Sequence, residues 1–291
     1  MILEARGLSF NYPGAGRRAL EDLDFSVGAG EVFGFLGPNG SGKSTTQKLL
    51  TKILRGYEGR VEVFGRDVEE QASSYFNSIG VCFEFPNLYE KLTADENLGF
   101  YRAFFDVPTE EPSEILERLD LPVNDRRPVS SWSKGMKMRL TLARSLMNRP
   151  RLWFLDEPTT GQDPQHAVLI RALIRERAQA GTSVFLTTHD MTVADELCDR
   201  VAFLVDGRIV RVDTPRDLKL AHRNHRVTVS IAEPKKAEYE FDLRDPADKA
   251  RFLRTVEDHE VETIHTQEPS LEDVFLTVTG RDLGGAPTGA E

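Results

Sequence analysis

Short apolar runs closed by turn residues dominate the first two-thirds of the chain, interleaved with stretches of helical spacing. Glu31 to Leu36 has the length and character of a buried strand. The stretch Thr45 to Leu54 carries Leu49, Leu50, Ile53 and Leu54 at helical spacing and predicts a helix. Arg151 to Leu155 and Ser183 to Thr187 read as buried parallel strands, with a helical stretch from Ala167 to Ala180 between them. That order is a βαβ unit, so the pattern predicts an α/β fold on a parallel core. Val61 to Phe64, closed by Gly65, is a short strand and turn. Val201 to Val205 and Arg208 to Val212 flank Asp206-Gly207, the dipeptide of a tight hairpin.

Residues 95 to 150 lean to helix. Ile115, Leu116 and Leu119 share one face, with Ser113 as the expected N-cap after Pro112. Met138, Leu142 and Leu146 place a second helix over Lys137 to Leu146. The character changes between Pro215 and Arg226. Beyond it come alternating strands, Val227 to Ile231 and Tyr239 to Leu243, and a helix opened by Asp245 and Pro246. A last helix starts at Ser270 and carries Leu271, Val274, Phe275 and Val278, with Ser270 and Asp273 as a capping pair. The expected organisation is a main domain over 1–220, a small α+β domain over 221–283 and a flexible tail over 284–291.

Composition narrows the class. A 291-residue chain with 40% hydrophobic and 29% charged residues is that of a globular protein of about two domains. No stretch approaches the ~18 apolar residues of a membrane span, and the start lacks the apolar core of a signal peptide. The expected location is the cytosol, unless a partner holds the chain at a membrane. A net charge of −10 argues against a nucleic-acid-binding role, which needs a basic face. Cys82 and Cys198 form no disulfide framework or metal motif and read as buried small hydrophobes.

The chemistry sits at the strand ends. Gly37-Pro38-Asn39-Gly40-Ser41-Gly42-Lys43-Ser44-Thr45 fits G-x-x-x-x-G-K-[ST], between a strand and a helix. Glycines let the backbone wrap an anion with its amides inward, and the helix N-terminus adds positive potential. Lys43 is expected on the β- and γ-phosphates and the Ser44 hydroxyl on Mg²⁺. The ligand is therefore a nucleoside triphosphate. The strand 151–155 runs into Asp156 and Glu157, where a Mg²⁺ shell needs a carboxylate and an attacking water needs a base. Asp156 is assigned to Mg²⁺ and Glu157 to the water. His189 follows the strand Ser183–Thr187 and is placed to hydrogen-bond the γ-phosphate.

With these elements in order, the chain resembles the nucleotide-binding subunit of an ABC transporter over about residues 2–215. Ser133-Lys134-Gly135-Met136 stands in the place of the family signature, Gly161-Gln162-Asp163-Pro164 resembles the D-loop, and Thr187-Thr188-His189-Asp190 resembles the switch-histidine segment. The resemblance implies a P-loop NTPase core of the ABC ATPase type. It adds an antiparallel N-terminal β subdomain and a helical insertion over about 90–150. It also implies ATP as the nucleotide, Tyr12 stacking on adenine, and Ser133 and Gly135 contacting the γ-phosphate held by a second copy. Asp163 then takes part in coupling within a homodimer, and an integral membrane subunit is the partner.

Two departures stand out. Glu84 occupies the Q-loop position, where the family has glutamine. It can ligate Mg²⁺ through oxygen but, ionised, cannot donate a hydrogen bond. Lys134 and Met136 replace a glycine and a glutamine of the signature, as in drug, lipid and polymer exporters. The ending Pro269-Ser270-Leu271-Glu272-Asp273-Val274-Phe275-Leu276 resembles the daunorubicin-resistance kind, and Phe83 to Tyr89 leans to fluoroquinolone exporters. The expected function is an ATP-hydrolysing export subunit at the cytoplasmic face of the membrane. The alternative is an ABC-type ATPase acting on DNA or the ribosome, disfavoured by the excess of acid and the single cassette. A third reading, a regulator that binds ATP without turnover, is opposed by Asp156, Glu157 and His189.

Overall fold

The computed structural model describes residues 1–223, 226–232, 237–266 and 268–280; the expected tail at 284–291 lies outside them. The chain divides into two units, Met1–Thr214 and Pro215–Gly280.

In the first unit, β1 (Leu3–Phe10) pairs antiparallel with β2 (Leu20–Val27), Leu3 opposite Val27. β3 (Val32–Leu36) is buried at all five positions and leads through the glycine-rich loop into α1 (Lys43–Leu50). β4 (Glu58–Val63) and β5 (Arg66–Asp67) complete an antiparallel sheet of order β2-β1-β4-β5. After β6 (Ile79–Cys82) comes the helical segment, with α2 (Ala94–Arg102), α3 (Pro112–Arg118) and α4 (Lys134–Leu146). Then follow β7 (Leu152–Asp156), α5 (Pro164–Gln179), β8 (Ser183–Thr188), α6 (Met191–Leu197), β9 (Arg200–Val205) and β10 (Arg208–Asp213). The second sheet has order β10-β9-β3-β8-β7-β6 and is parallel except for β10. Asp206 (φ 48°) and Gly207 (φ 77°) both take positive φ, as a two-residue hairpin turn demands.

Phenylalanines join the two sheets. Phe25 from β2 lies 5.2 Å from Phe35 of β3, and Phe35 lies 5.3 Å from Phe185 of β8. Burying each ring contributes roughly 1.5–3 kcal/mol, so this cluster fixes the strand order beneath the site. Cys82 and Cys198 are free and buried, as their sequence context implies.

Four helix boundaries differ from the periodicity; one is α5, which starts at Pro164 rather than Ala167 because Asp163 caps it. α1 stops at Leu50 rather than Leu54, because Lys52 turns left-handed (φ 61°). Leu49 and Leu50 reach the core while Ile53 is exposed. α3 is capped by Glu111, not Ser113; Pro112 pre-sets φ for the first helical turn and takes that position itself. α4 begins at Lys134, three residues early, because Ser133 accepts a hydrogen bond from the Met136 amide and caps it.

The second unit contains α7 (Pro215–Ala221), β11 (Arg226–Ile231), β12 (Ala237–Asp242), α8 (Pro246–Asp258), β13 (Val261–Thr266) and α9 (Leu271–Thr279). The strands form an antiparallel sheet of order β12-β11-β13. Val227, Val229 and Ile231 alternate inward with Phe241. Asp245 caps α8, and the Ser270–Asp273 capping box closes on α9. β13 has no counterpart in the sequence reading, because only Val261 is even half-buried and the strand shows no apolar alternation. Among the described residues no helix is long and apolar enough to cross a membrane.

Candidate active site

Three adjacent strands, β3, β8 and β7, end at one edge of the parallel sheet. Asp156 lies opposite Thr187, and Leu36 opposite Thr188. That register brings the loop 37–42, the Asp156-Glu157 pair and His189 to one place. They border a cavity of about 370 Å³ that also takes in Tyr12, Thr45 and Glu84.

The loop folds tightly against β9. A Cβ on Gly37 would come within 2.1 Å of the Leu204 carbonyl oxygen, so only glycine fits there. Gly40 (φ 79°) and Gly42 (φ 114°) hold backbone shapes that side chains resist. Gly42 caps α1 without a side-chain hydrogen bond, which leaves first-turn amides for an anion. Lys43 Nζ donates to the carbonyls of Gly37 (2.7 Å) and Pro38 (3.1 Å). An ammonium has three donors, so one is left for a phosphate oxygen. Burial pulls the Lys43 pKa down, while Glu157, Asp156 and Glu84 push it up. The Ser41 hydroxyl is buried and finds no partner among the described residues. A phosphate-lined loop would satisfy it.

Asp156 is buried and bound on both oxygens. Ser44 Oγ donates to Oδ2 at 3.1 Å, and Thr187 Oγ1 donates to Oδ1. Burial raises its pKa; the two hydroxyls lower it. Ser44 and Asp156 supply two hard oxygens, the small protein contribution that suits Mg²⁺ shared with phosphates and water. Glu84, half-buried after β6, faces the same cavity.

Glu157 is buried with a left-handed backbone, φ 49°. Its Oε1 accepts from the His189 amide (2.9 Å) and lies 2.6 Å from His189 Nδ1. Its Oε2 accepts from Thr188 Oγ1 (3.0 Å) and Thr160 Oγ1 (3.2 Å). His189 itself is half-exposed, so its ring joins the buried carboxylate to the cavity mouth. Tyr12 is partly exposed; its hydroxyl is 3.1 Å from Thr45 Oγ1, and its ring packs edge-on to Phe10 at 5.0 Å.

Ser133 and Gly135 are not among the residues lining this cavity. Ser133 caps α4, and the Gly135 carbonyl accepts from Gln162 Nε2 at 3.3 Å. Asp163 caps α5 through the His166 amide. The sequence reading singled out Glu157 and His189 but gave Thr160, Thr188 and Gln162 no role. Thr160, three residues beyond Glu157 in the turn that follows it, was the one local signal available.

Comparison with known proteins places this geometry. The model of the family described as ABC transporter matches residues 20–160, and that described as ATP-binding protein DrrA1-3-like, C-terminal domain, matches 204–279. A fluoroquinolones export ATP-binding protein of Mycobacterium tuberculosis (strain CDC 1551 / Oshkosh) is 48% identical over 97% of this chain and 94% of its own. This chain belongs to the ABC transporter ATPase family. A daunorubicin resistance ATP-binding protein of Streptomyces coeruleorubidus is 35% identical, over 91% of each chain. A Nod factor export ATP-binding protein I of Rhizobium johnstonii (strain DSM 114642 / LMG 32736 / 3841) is 34% identical over 97% of this chain and 96% of its own. The solved structure of an ATP binding subunit of an ABC transporter superposes with a TM-score of 0.69 at 27% identity, covering 76% of this chain and 93% of that one. A dimeric ATP-binding cassette bound to ADP and Pi shares the fold, with a TM-score of 0.67 at 24% identity over 73% and 98% of the two chains. As an ABC ATPase the chain is an ATP hydrolase, and the expected P-loop core with its antiparallel sheet is the fold observed.

Proposed function

We propose that this ABC ATPase powers export of a small molecule through a separate membrane-spanning subunit. The observation that carries the catalytic half is the Glu157–His189 pair beside Lys43, Ser44 and Asp156. Lys43 and the loop amides bind the triphosphate, and Tyr12 offers an aromatic face for the base. Ser44 and Asp156 would hold Mg²⁺ at a cavity that Glu84 also lines, and the metal would supply neutralisation of phosphate charge. Glu157 orients the attacking water and draws its proton, while His189 fixes the carboxylate and reaches toward the γ-phosphate.

Each chain supplies one such half-site. Ser133, with the free amides at the start of α4, suits the γ-phosphate bound by a second copy. Asp163 acts at the same contact. Two chains then close head to tail over two ATP molecules, and loss of the γ-phosphate opens them. The export reading draws on relatives named as fluoroquinolones export, daunorubicin resistance and Nod factor export ATP-binding proteins. Those names disfavour a role on DNA or the ribosome. The cargo is then set by the membrane partner, which holds this chain at the cytoplasmic face.

Two measurements test this. Glu157→Gln should reduce ATP turnover by roughly 10²–10⁴-fold yet retain ATP binding and run as an ATP-dependent dimer on size exclusion with light scattering. Turnover near the parent rate would remove Glu157 from the base role. Affinity capture from the native membrane should retain an integral membrane protein; capture of nucleic acid or ribosomes instead would reverse the export reading.

A further inference from the structure

We propose that His166 is a positioning residue that pins the loop bearing Asp163 to the helical insertion. The imidazole is mostly buried and bridges two carboxylates. Nδ1 lies 2.6 Å from Asp163 Oδ2, and Nε2 lies 3.1 Å from Asp120 Oδ2. Asp163 precedes α5; Asp120 follows α3, in a left-handed turn with φ 51°. One ring therefore ties the sheet-derived segment after Glu157 to the helical segment that carries Ser133.

Chemistry makes this tie conditional. Both ring nitrogens face carboxylate oxygens, and only the imidazolium donates from both. A neutral tautomer can serve one carboxylate and turns a lone pair toward the other. The charged groups around the ring are Asp163 on its own helix, Asp120 beyond α3, and Arg139 of α4. Arg139 is buried, donates to the Asp120 carbonyl at 3.4 Å, and feels both Asp120 and Asp163. The third helix of the insertion thus joins the same cluster.

The neighbouring contact runs in parallel. Gln162 donates to the Gly135 carbonyl, so the stretch from 157 to 166 touches the insertion at two places, one at the signature and one at Asp120. Thr160 returns to Glu157 from the middle of that stretch. A change in the tilt of the insertion therefore reaches the catalytic carboxylate through a short, hydrogen-bonded segment. The pin at His166 decides how stiffly the two ends move together.

The proposal rests on the assignment of Ser133 and Asp163 to a shared dimer site. His166→Ala should lower kcat at saturating ATP by roughly 3- to 10-fold and leave KM for ATP within about twofold of the parent. His166→Arg keeps donors for both carboxylates and should restore turnover. Asp120→Asn tolerates the left-handed turn and should copy His166→Ala without altering α5. A fluorescent ATP analogue bound equally by all variants reports an intact nucleotide site. If His166→Ala lowers the melting temperature but keeps the parent kcat, the residue is merely structural and the proposal falls. If the parent itself neither turns over nor dimerises, the failure lies with the shared-site reading instead.

Discussion

The Nδ1 atom of His189 sits 2.6 Å from Oε1 of Glu157, and the His189 amide donates to that same oxygen. Two donors from one residue fix a carboxylate whose backbone is itself left-handed. His189→Ala removes the ring donor and keeps the amide. Its turnover should fall by about 10²-fold, the lower end for acid–base groups, with nucleotide affinity unchanged. The Glu157→Gln, His189→Ala double variant should be little worse than Glu157→Gln alone, since groups acting as a unit are not additive. Single-turnover ATPase rates measure both; additive losses would mean that the two residues act independently.

Gly37 and Gly40 stand in one loop but fail differently. Gly37→Ala drives a methyl group into the Leu204 carbonyl, so the loop must leave β9. ATP affinity, read by isothermal titration, should drop at least tenfold. Gly40 meets nothing within 4 Å of an added Cβ, and its φ of 79° is the only obstacle. Gly40→Ala should cost about 1–2 kcal/mol of local strain and a smaller loss of affinity. Equal losses would contradict the steric account.

Gln47 offers a stabilising change. Its amide is 1% exposed, and neither Nε2 nor Oε1 has a hydrogen-bond partner among the described residues. Methionine matches its shape without burying unmet polar atoms. Gln47→Met should raise unfolding stability by about 1 kcal/mol, within the range for relieving an unsatisfied buried group. Urea denaturation checks this, and a destabilised variant would mean that the amide is in fact satisfied.

Glu84 differs in charge from the family's glutamine and acts on Lys43 through the cavity. Glu84→Gln removes one of three carboxylates that hold the Lys43 pKa up. The variant should show an altered Mg²⁺ requirement for ATPase activity and a changed ratio of ATP hydrolysed to substrate exported. Parent values for both would leave Glu84 without a coupling role.

Burial pushes the Cys82 thiol up to about 12, and it raises Cys198 as well. Because the folded pKa exceeds the unfolded one, the neutral thiol favours the fold below about pH 8.5, and that contribution is lost as pH rises toward the folded value. Iodoacetamide at pH 8 should label neither cysteine in the native protein and both in guanidinium, read by intact mass. Fast native labelling of Cys82 would place it at the surface.

What could be read from the residues follows from how local each signal is. The loop 37–45, Asp156, Glu157 and His189 each sit at the end of an apolar strand, so strand order alone gathers them. Gln162 and His166 acquire meaning only when α5 is set beside α3 and α4, and nothing in their spacing names those partners. Glu111 displaced Ser113 as a cap because proline prefers the first helical position to one ahead of the cap. β13 escaped notice because its neighbours leave nearly every side chain in water.

The pairing of Asp156 with Thr187 and Leu36 with Thr188 has an engineering consequence. The reacting groups belong to neighbouring parallel strands locked in step, so a single inserted residue in β7 or β8 would turn the carboxylates away. The connections entering those strands, at 147–151 and 180–182, lie at the opposite end of the sheet. Of these, the exposed turn at Ala180 and Gly181 is where a tag, reporter or cross-linking handle would leave the chemistry untouched.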